Sequence, residues 1–188
     1  EPSLAQMTAE AIAVLRRNPG GFFLMVEGGR IDHAHHAGNA YRALSDTIAF
    51  AEAVRAATKA TSDTDTLILV TADHSHTLAF AGYPKRGNPI LGKVSGRSGE
   101  DSGAGLASDA LGLPYTTLSY ANGPGYAGGS DQQPPGPKQF PHQPSGVLAA
   151  NGRPDLRDVD TGHPDYLQEA MVPGGSETHG GDDVGVWA

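Results

Sequence analysis

Two patterns of apolar residues alternate along the first 81 residues: apolar positions at helical spacing, which predict helices, and continuous apolar runs, which predict strands. Ser3 begins a capping-box pattern, and apolar positions at helical spacing follow it up to Leu15, which predicts a first helix. Continuous apolar runs at residues 22–26 and 67–70 predict strands that are covered on both faces. Between these runs, apolar positions at spacings of three and four over residues 40–57 predict a long helix.

Strand, helix and strand in this order make a βαβ unit, so we expect the two strands to be parallel. The expected fold class is therefore α/β, with part of a mostly parallel central sheet flanked by helices. The periodic pattern breaks up after residue 81, where a strand is predicted only at residues 115–120 and residues 128–144 are rich in Pro, Gln and Gly. Residues 183–188 again have the composition of a buried strand. We predict an α/β core segment at 1–81, a loop-rich insertion at 82–171 and a return to the core at 172–188.

Composition narrows the classes of function. The formal net charge of −8 over 188 residues argues against nucleic acid or an anionic membrane surface as the partner. Without cysteine the chain has no disulfide framework and no thiolate metal site. No segment resembles a signal peptide or a membrane span. The chain begins at Glu1 without an initiator methionine and ends inside an apolar run, so we expect it to be a fragment of a longer protein.

Two short runs combine carboxylates with imidazoles. Residues 27–36 and 73–76 together hold five of the eight histidines and three carboxylates. Each run follows a predicted strand, and ligands of open α/β sheets bind beyond the carboxyl ends of strands. Asp32 and His36 stand four residues apart, so a helix starting near residue 32 would stack them on one face. Such a set suits hard or borderline divalent cations, and the sequence therefore predicts a metal site.

The other histidines are less informative by themselves. His76 can be a ligand or a side chain that hydrogen-bonds a ligand and orients it. His179 lies in a glycine-rich loop, where an isolated histidine is more often a surface residue than a ligand. His142 and His163 stand beside prolines in polar loops, and we expect them to face solvent.

Three segments in this order, at residues 26–36, 71–76 and 177–184, resemble alkaline phosphatases, and the animal-type sequences most closely. The similarity extends over most of the chain, including residues 21–54 and 82–87. It implies hydrolysis of phosphate monoesters through a phosphoserine intermediate, with inorganic phosphate as product, at two zinc ions and one magnesium ion. The resemblance implies these ligands: Asp32, His36 and His179 for the first zinc, Asp73 and His74 for the second zinc, and Glu27 for magnesium.

The same resemblance implies roles for three further residues. His33 would contribute to catalysis by contacting the substrate phosphate through water, and His76 would lie beside the zinc pair without binding it. The insertion would correspond to the family's crown, from which Tyr83 would reach toward the partner subunit of a homodimer. The family also implies a periplasmic, secreted or cell-surface location.

The family's nucleophilic serine, its phosphate-binding arginine and an aspartate shared by zinc and magnesium have no match here. We expect them in a preceding half, so this chain alone should be inactive. Asp101-Ser102-Gly103 resembles the surroundings of the nucleophile, but it lies inside the insertion and away from any predicted strand end. Two alternatives stay open: a related two-metal sulfatase, phosphodiesterase or phosphomutase, and a metal-binding fragment without catalysis.

Overall fold

The computed structural model describes residues 1–96, 105–109, 112–126 and 153–188. Helices and small sheets are mixed along these ranges, which confirms the α/β class. The predicted loop at 128–144, His142 and the segment around Ser102 lie outside the described residues. The elements are, in chain order, α1 (Leu4–Leu15), α2 (Arg30–His36), α3 (Ala40–Ala60), β1 (Val70–Thr71), β2 (Ser75–His76), β3 (Leu78–Phe80), β4 (Leu118–Gly123), β5 (Ala170–Pro173), β6 (His179–Gly180) and β7 (Val186–Trp187).

The first and third helices agree with the sequence pattern. The Ser3 hydroxyl accepts from the backbone N–H of Gln6 at 3.2 Å, and the Gln6 side chain accepts from the Ser3 N–H at 2.8 Å. This reciprocal pair satisfies two donors that a helix start leaves open. At the start of α3 a distant side chain takes that role, since Gln168 Oε1 accepts from the Ala40 N–H at 2.6 Å.

The chain divides into two compact units, and unit one comprises residues 1–33, 42–75 and 180–188. In this unit β1 pairs antiparallel with β7, with Val70 opposite Trp187. The strand predicted at residues 22–26 is not formed, and Phe23 and Met25 are 88% and 77% exposed. A strand requires a neighbour to pair its backbone groups, and among the described residues no strand pairs with this run. The parallel βαβ pairing expected in this region is therefore absent from the described residues.

Unit two comprises residues 34–41 and 76–179 and contains a sheet in the order β3-β4-β5. Strands β3 and β4 are antiparallel, with Leu78 opposite Tyr120, whereas β4 and β5 are parallel, with Tyr120 opposite Ala170. Among the described strands of this sheet, parallel pairing is thus only partial. The strand expected at 115–120 begins later, at Leu118. The division into segments at residues 81 and 171 stays a prediction.

Buried polar side chains hold much of unit two together. Its largest fully buried residues include Leu118, Tyr120 and Leu156, but also Gln168 and Glu177. Lys93 illustrates the pattern, because its ammonium donates to three carbonyl oxygens, those of Leu156 at 2.7 Å, Arg157 at 2.9 Å and Val159 at 2.8 Å. A single cation therefore holds the backbone of residues 156–159 in one conformation.

Arg153 joins three segments of unit two. Its guanidinium contacts both carboxylate oxygens of Glu169, at 2.5 and 2.7 Å, and also binds Asp109 and the Pro114 carbonyl. Burial alone would lower the pKa of Arg153, but the contacts with Glu169 and Asp109 outweigh it and raise that pKa above its usual value. The planar guanidinium of arginine binds a carboxylate through two parallel N–H groups, which the compact ammonium group of lysine cannot do.

No helix among the described residues is long and apolar enough to cross a lipid bilayer.

Replacing Arg153 with Met should strongly destabilise unit two. Removing one partner of a buried pair leaves uncompensated charge at a cost of about 3–5 kcal/mol, and the 18% exposure of the Arg153 side chain puts the expected loss near the lower end. Denaturant unfolding would measure it. Arg55→Met is the matched control, because Arg55 and Glu52 form an exposed pair on α3 and should contribute little. Equal destabilisation by the two variants would contradict this account.

Candidate metal centre

The glycine pair before α2 shapes the entry to the first candidate ligands. A Cβ atom on Gly28 would lie 3.1 Å from the Phe50 ring and 3.2 Å from Ile31, so a side chain there would crowd both. The Gly28 carbonyl accepts from the Ile31 N–H at 3.0 Å as the helix begins. Glu27, exposed just before this turn, keeps its carboxylate close to Gly29. Gly28 is therefore closely packed at the turn that leads into α2, on which Asp32 lies.

Unit one brings together two carboxylates and one imidazole. His74 Nε2 lies 3.8 Å from Asp32 Oδ1 and 3.5 Å from Asp73 Oδ2. The Nδ1 atom of His74 faces the Ser75 carbonyl at 3.2 Å, and because a carbonyl only accepts, Nδ1 carries the proton. In the neutral ring Nε2 then has a lone pair, directed toward the carboxylates. Such a donor set suits a divalent cation.

Unit two brings two histidines from distant parts of the chain into contact. His36 Nε2 and His179 Nε2 lie 3.1 Å apart across 143 residues of sequence. The Nδ1 atom of His36 donates to the Glu177 carbonyl at 2.6 Å, which leaves the lone pair of the neutral ring on Nε2. Two nitrogens bonded to one tetrahedral zinc at about 2.0–2.1 Å would stand roughly 3.3 Å apart. The observed spacing is close to that value.

Glu177, whose carbonyl contacts His36, is 1% exposed. Its Oε1 accepts from the backbone N–H and the hydroxyl of Thr77, at 2.6 and 2.7 Å, and its Oε2 accepts from His76 Nδ1 at 2.7 Å. Burial alone would raise the pKa of this carboxyl, but the hydrogen bonds from Thr77 and His76 lower it below its ordinary value. His36, His76 and Glu177 offer ligand atoms within 4.8 Å of one another.

A second layer of unit two supports the histidine rings. The His35 ring stacks on the His76 ring at a centroid distance of 4.5 Å, and His35 Nδ1 lies 2.8 Å from the Tyr120 hydroxyl. Burial, with a further effect from the Glu177 charge, raises the pKa of Tyr120 far above its usual value. The hydroxyl therefore stays protonated and available as a hydrogen-bond donor.

Asn122 holds the segment that carries His179. Its Oδ1 accepts from the Thr178 N–H at 3.0 Å, and its Nδ2 donates to the Thr178 hydroxyl at 2.9 Å. The Glu177 N–H donates to the His36 carbonyl at 2.9 Å. Residues 177 and 178 are therefore held by both backbone and side-chain hydrogen bonds, and His179 follows directly.

The predicted site residues fall in both units. Asp32, Asp73 and His74 meet in unit one, which also contains Glu27 and His33, both exposed. His36, His76 and His179 meet in unit two, which also contains Tyr83, 72% exposed. His163 is exposed, as its sequence context indicated.

Sequence reasoning assigned no role to several residues that support the site. Glu177, Thr77 and Asn122 anchor the His179 segment, while His35 and Tyr120 pack behind His76. The partners His76 and Glu177 are 101 residues apart, so no local spacing connects them. The one available signal is that Glu177 belongs to the glycine-flanked motif that also contains His179.

Asn122→Ala should loosen the His179 segment. It removes two hydrogen bonds to Thr178, each of which contributes about 0.5–1.5 kcal/mol. Amide exchange of residues 176–179 should therefore accelerate roughly tenfold, as followed by mass spectrometry. Ser176→Ala is the control, since its hydroxyl makes longer contacts of 3.1–3.4 Å and should have a smaller effect. Unchanged exchange in Asn122→Ala would refute the anchoring role.

Comparison with known proteins agrees with this donor chemistry. The family model for alkaline phosphatase matches residues 1–188. The chain is 43% identical over its whole length to the tissue-nonspecific isozyme of alkaline phosphatase from Gallus gallus, covering 30% of that protein. It is 42% identical to an alkaline phosphatase from Gadus morhua, covering 33% of it, and 40% identical to the tissue-nonspecific isozyme from Homo sapiens, covering 30%. The chain thus spans about a third of the length of these relatives. It belongs to the alkaline phosphatase family.

Proposed function

We propose that this chain contributes metal ligands to a phosphatase active site, and that the whole protein hydrolyses phosphate monoesters. The main support for this proposal is the contact between His36 and His179. Two imidazoles from distant parts of unit two present their Nε2 atoms to each other at 3.1 Å, while the Nδ1 of His36 is engaged by a backbone carbonyl. The lone pair of His36 Nε2 is thus directed at the His179 ring, at a spacing that suits two imidazole nitrogens sharing one zinc ion.

The donor types support the identities of the ions. Imidazole and carboxylate together suit zinc, whereas an oxygen ligand such as Glu27 suits magnesium. When bound, two zinc ions supply Lewis-acid stabilisation of the entering and leaving oxygens of a phosphoryl displacement. We assign to the first zinc Asp32, His36 and His179, to the second zinc Asp73 and His74, and to magnesium Glu27.

The chain's own residues have distinct tasks in this scheme. The Ser75 and Glu177 carbonyls fix the tautomers of His74 and His36, so that Nε2 is the basic atom in each ring. His33 is exposed at α2, which suits a contact with substrate phosphate through water. Asp73, with a 90% exposed side chain, has room to orient toward a bound ion.

We propose that the serine nucleophile, and with it the phosphoserine intermediate, is supplied by a part of the protein beyond these 188 residues. The support is the chain's coverage of about a third of its relatives, and the position of Ser102, whose neighbours resemble those of the nucleophile, inside the predicted insertion and away from any predicted strand end. The substrates would be phosphate monoesters, and inorganic phosphate the product. A periplasmic, secreted or cell-surface location is the corresponding proposal.

We also propose that the protein is a homodimer in which Tyr83 contacts the partner subunit. Its ring is 72% exposed, and a tyrosine can bury a flat apolar face while its hydroxyl makes a polar contact.

His179→Gln in the intact protein should reduce zinc affinity at least tenfold and nearly abolish monoester turnover, because an amide is a much poorer zinc ligand than imidazole. Metal analysis after dialysis against a chelator, with a chromogenic monoester assay, would measure both. His163→Gln is the matched control, since His163 is an exposed histidine of the same unit. Full zinc retention by His179→Gln would contradict the proposed zinc site. Faster turnover of a diester or a sulfate ester than of the monoester would overturn the substrate class.

Residues 1–188 expressed alone should bind zinc without turning over a monoester. Covalent catalysis requires a nucleophile, and we place that group elsewhere in the protein. Equilibrium dialysis with zinc and an assay after removal of host phosphatases would test this. Turnover that co-purifies with the chain and is lost in Ser102→Ala would contradict it.

A further inference from the structure

We propose that Glu177 is a positioning residue whose buried carboxylate sets the zinc affinity of the His36–His179 pair. This inference rests on the proposed zinc site, but it concerns a residue that binds no ion in that scheme. Glu177 acts through His76 and through the segment that leads to His179.

The carboxylate has no access to solvent and both of its oxygens are occupied. Its side chain is 0% exposed, and it accepts three hydrogen bonds, two of them from Thr77 and one from His76. Burying an ionised carboxylate is costly unless such donors compensate it. Because all three donors come from two consecutive residues, the carboxylate fixes residues 76–77 against residue 177.

The main chain of the same residue holds His36. The Glu177 N–H donates to the His36 carbonyl at 2.9 Å, and the Glu177 carbonyl accepts from His36 Nδ1 at 2.6 Å. His179 follows two residues later. A displacement of Glu177 would therefore move the group that orients one proposed ligand and the backbone that carries the other.

His76 transmits the effect of the carboxylate to both rings. Its ring stands edge-on to His36, at 5.2 Å and 85°, and edge-on to His179, at 5.3 Å and 88°. It also stacks on the His35 ring, at a centroid distance of 4.5 Å. Since an ionised carboxylate only accepts, His76 Nδ1 carries a proton directed at Glu177. The carboxylate thereby fixes both the rotation and the protonated atom of a ring that packs against the ligand pair.

The variant Glu177→Gln changes the hydrogen bonds of this side chain but leaves its packing nearly unchanged, because glutamine and glutamate have nearly the same size. The glutamine oxygen can still accept from Thr77, but its amide then presents N–H groups to the Nδ1–H of His76. Two donors cannot pair, so the His76 proton should move to Nε2 or the ring should rotate. The zinc pair then loses its support while the fold retains its volume.

The test compares zinc retention in the intact, metal-loaded protein. Glu177→Gln should weaken zinc binding about tenfold in a chelator competition, the lower end of the effect of losing a direct partner of a metal ligand, because the carboxylate acts through His76. Glu169→Gln is the control, because it neutralises another largely buried carboxylate of unit two, paired with Arg153, and should lower thermal stability without changing zinc affinity. Equal zinc loss in the two variants would overturn the proposal.

A second measurement, the position of the His76 proton in the metal-free wild-type protein, does not depend on how well a variant folds. In the metal-free wild-type protein, nitrogen NMR should find the His76 proton on Nδ1, with the signal assigned by its loss in His76→Gln. A wild-type His76 protonated on Nε2 alone would overturn the proposal. So would Glu177→Gln that keeps its zinc while His179→Gln loses it, a result that leaves the zinc site standing. If both variants keep zinc, the proposed site fails and this inference fails with it.

Discussion

Three hydrogen bonds into the buried carboxylate of Glu177 constrain the region of unit two where the histidines meet. Desolvating such a charge costs several kcal/mol, and the hydrogen bonds that offset this cost are directional. His76 and Thr77 must therefore adopt the one arrangement that aims all three donors at the carboxylate. The orientation of His76, the stacking of His35 and the start of the His179 segment follow from that arrangement.

The described part of unit two uses the same strategy elsewhere. Lys93 binds three carbonyl oxygens, and Arg153 binds two carboxylates and the Pro114 carbonyl. Charged side chains inside a loop-rich region specify geometry more sharply than apolar contacts, since each cation requires acceptors in defined directions. They are also vulnerable, because removing one member leaves buried charge unpaired.

Local signals in the sequence predicted the local features. The capping box at Ser3, the long helix at residues 40–60 and the two carboxylate–histidine runs depend on residues a few positions apart. The run at 22–26 was misleading, because an apolar segment pairs as a strand only when another strand lies beside it, and pairing is a tertiary property. The start of β4 three residues later than predicted has a related cause: Thr116 already pairs with Lys93 in an isolated bridge.

The supporting residues of the site escaped prediction for a different reason. Glu177 and His76 are 101 positions apart, and the pairing of a carboxylate with an imidazole has no spacing signature over that distance. The resemblance to alkaline phosphatases identified His76 as a neighbour of the zinc pair, yet nothing in the pattern indicated which residue would hold it. Polar networks of this kind emerge only when the fold brings their members together.

The Nδ1 partners of the histidines differ in kind. His36 and His74, each in its own unit, donate from Nδ1 to a backbone carbonyl, that of Glu177 in one case and Ser75 in the other. A carbonyl is a neutral acceptor, so it fixes the tautomer and leaves Nε2 as a basic nitrogen for a cation. His76 donates instead to the carboxylate of Glu177, so its Nδ1–H belongs to the buried network that also holds Thr77. In all three rings the Nδ1 contact fixes the rotation of the imidazole, and at His76 the same contact also ties the ring to residue 177, two positions before His179.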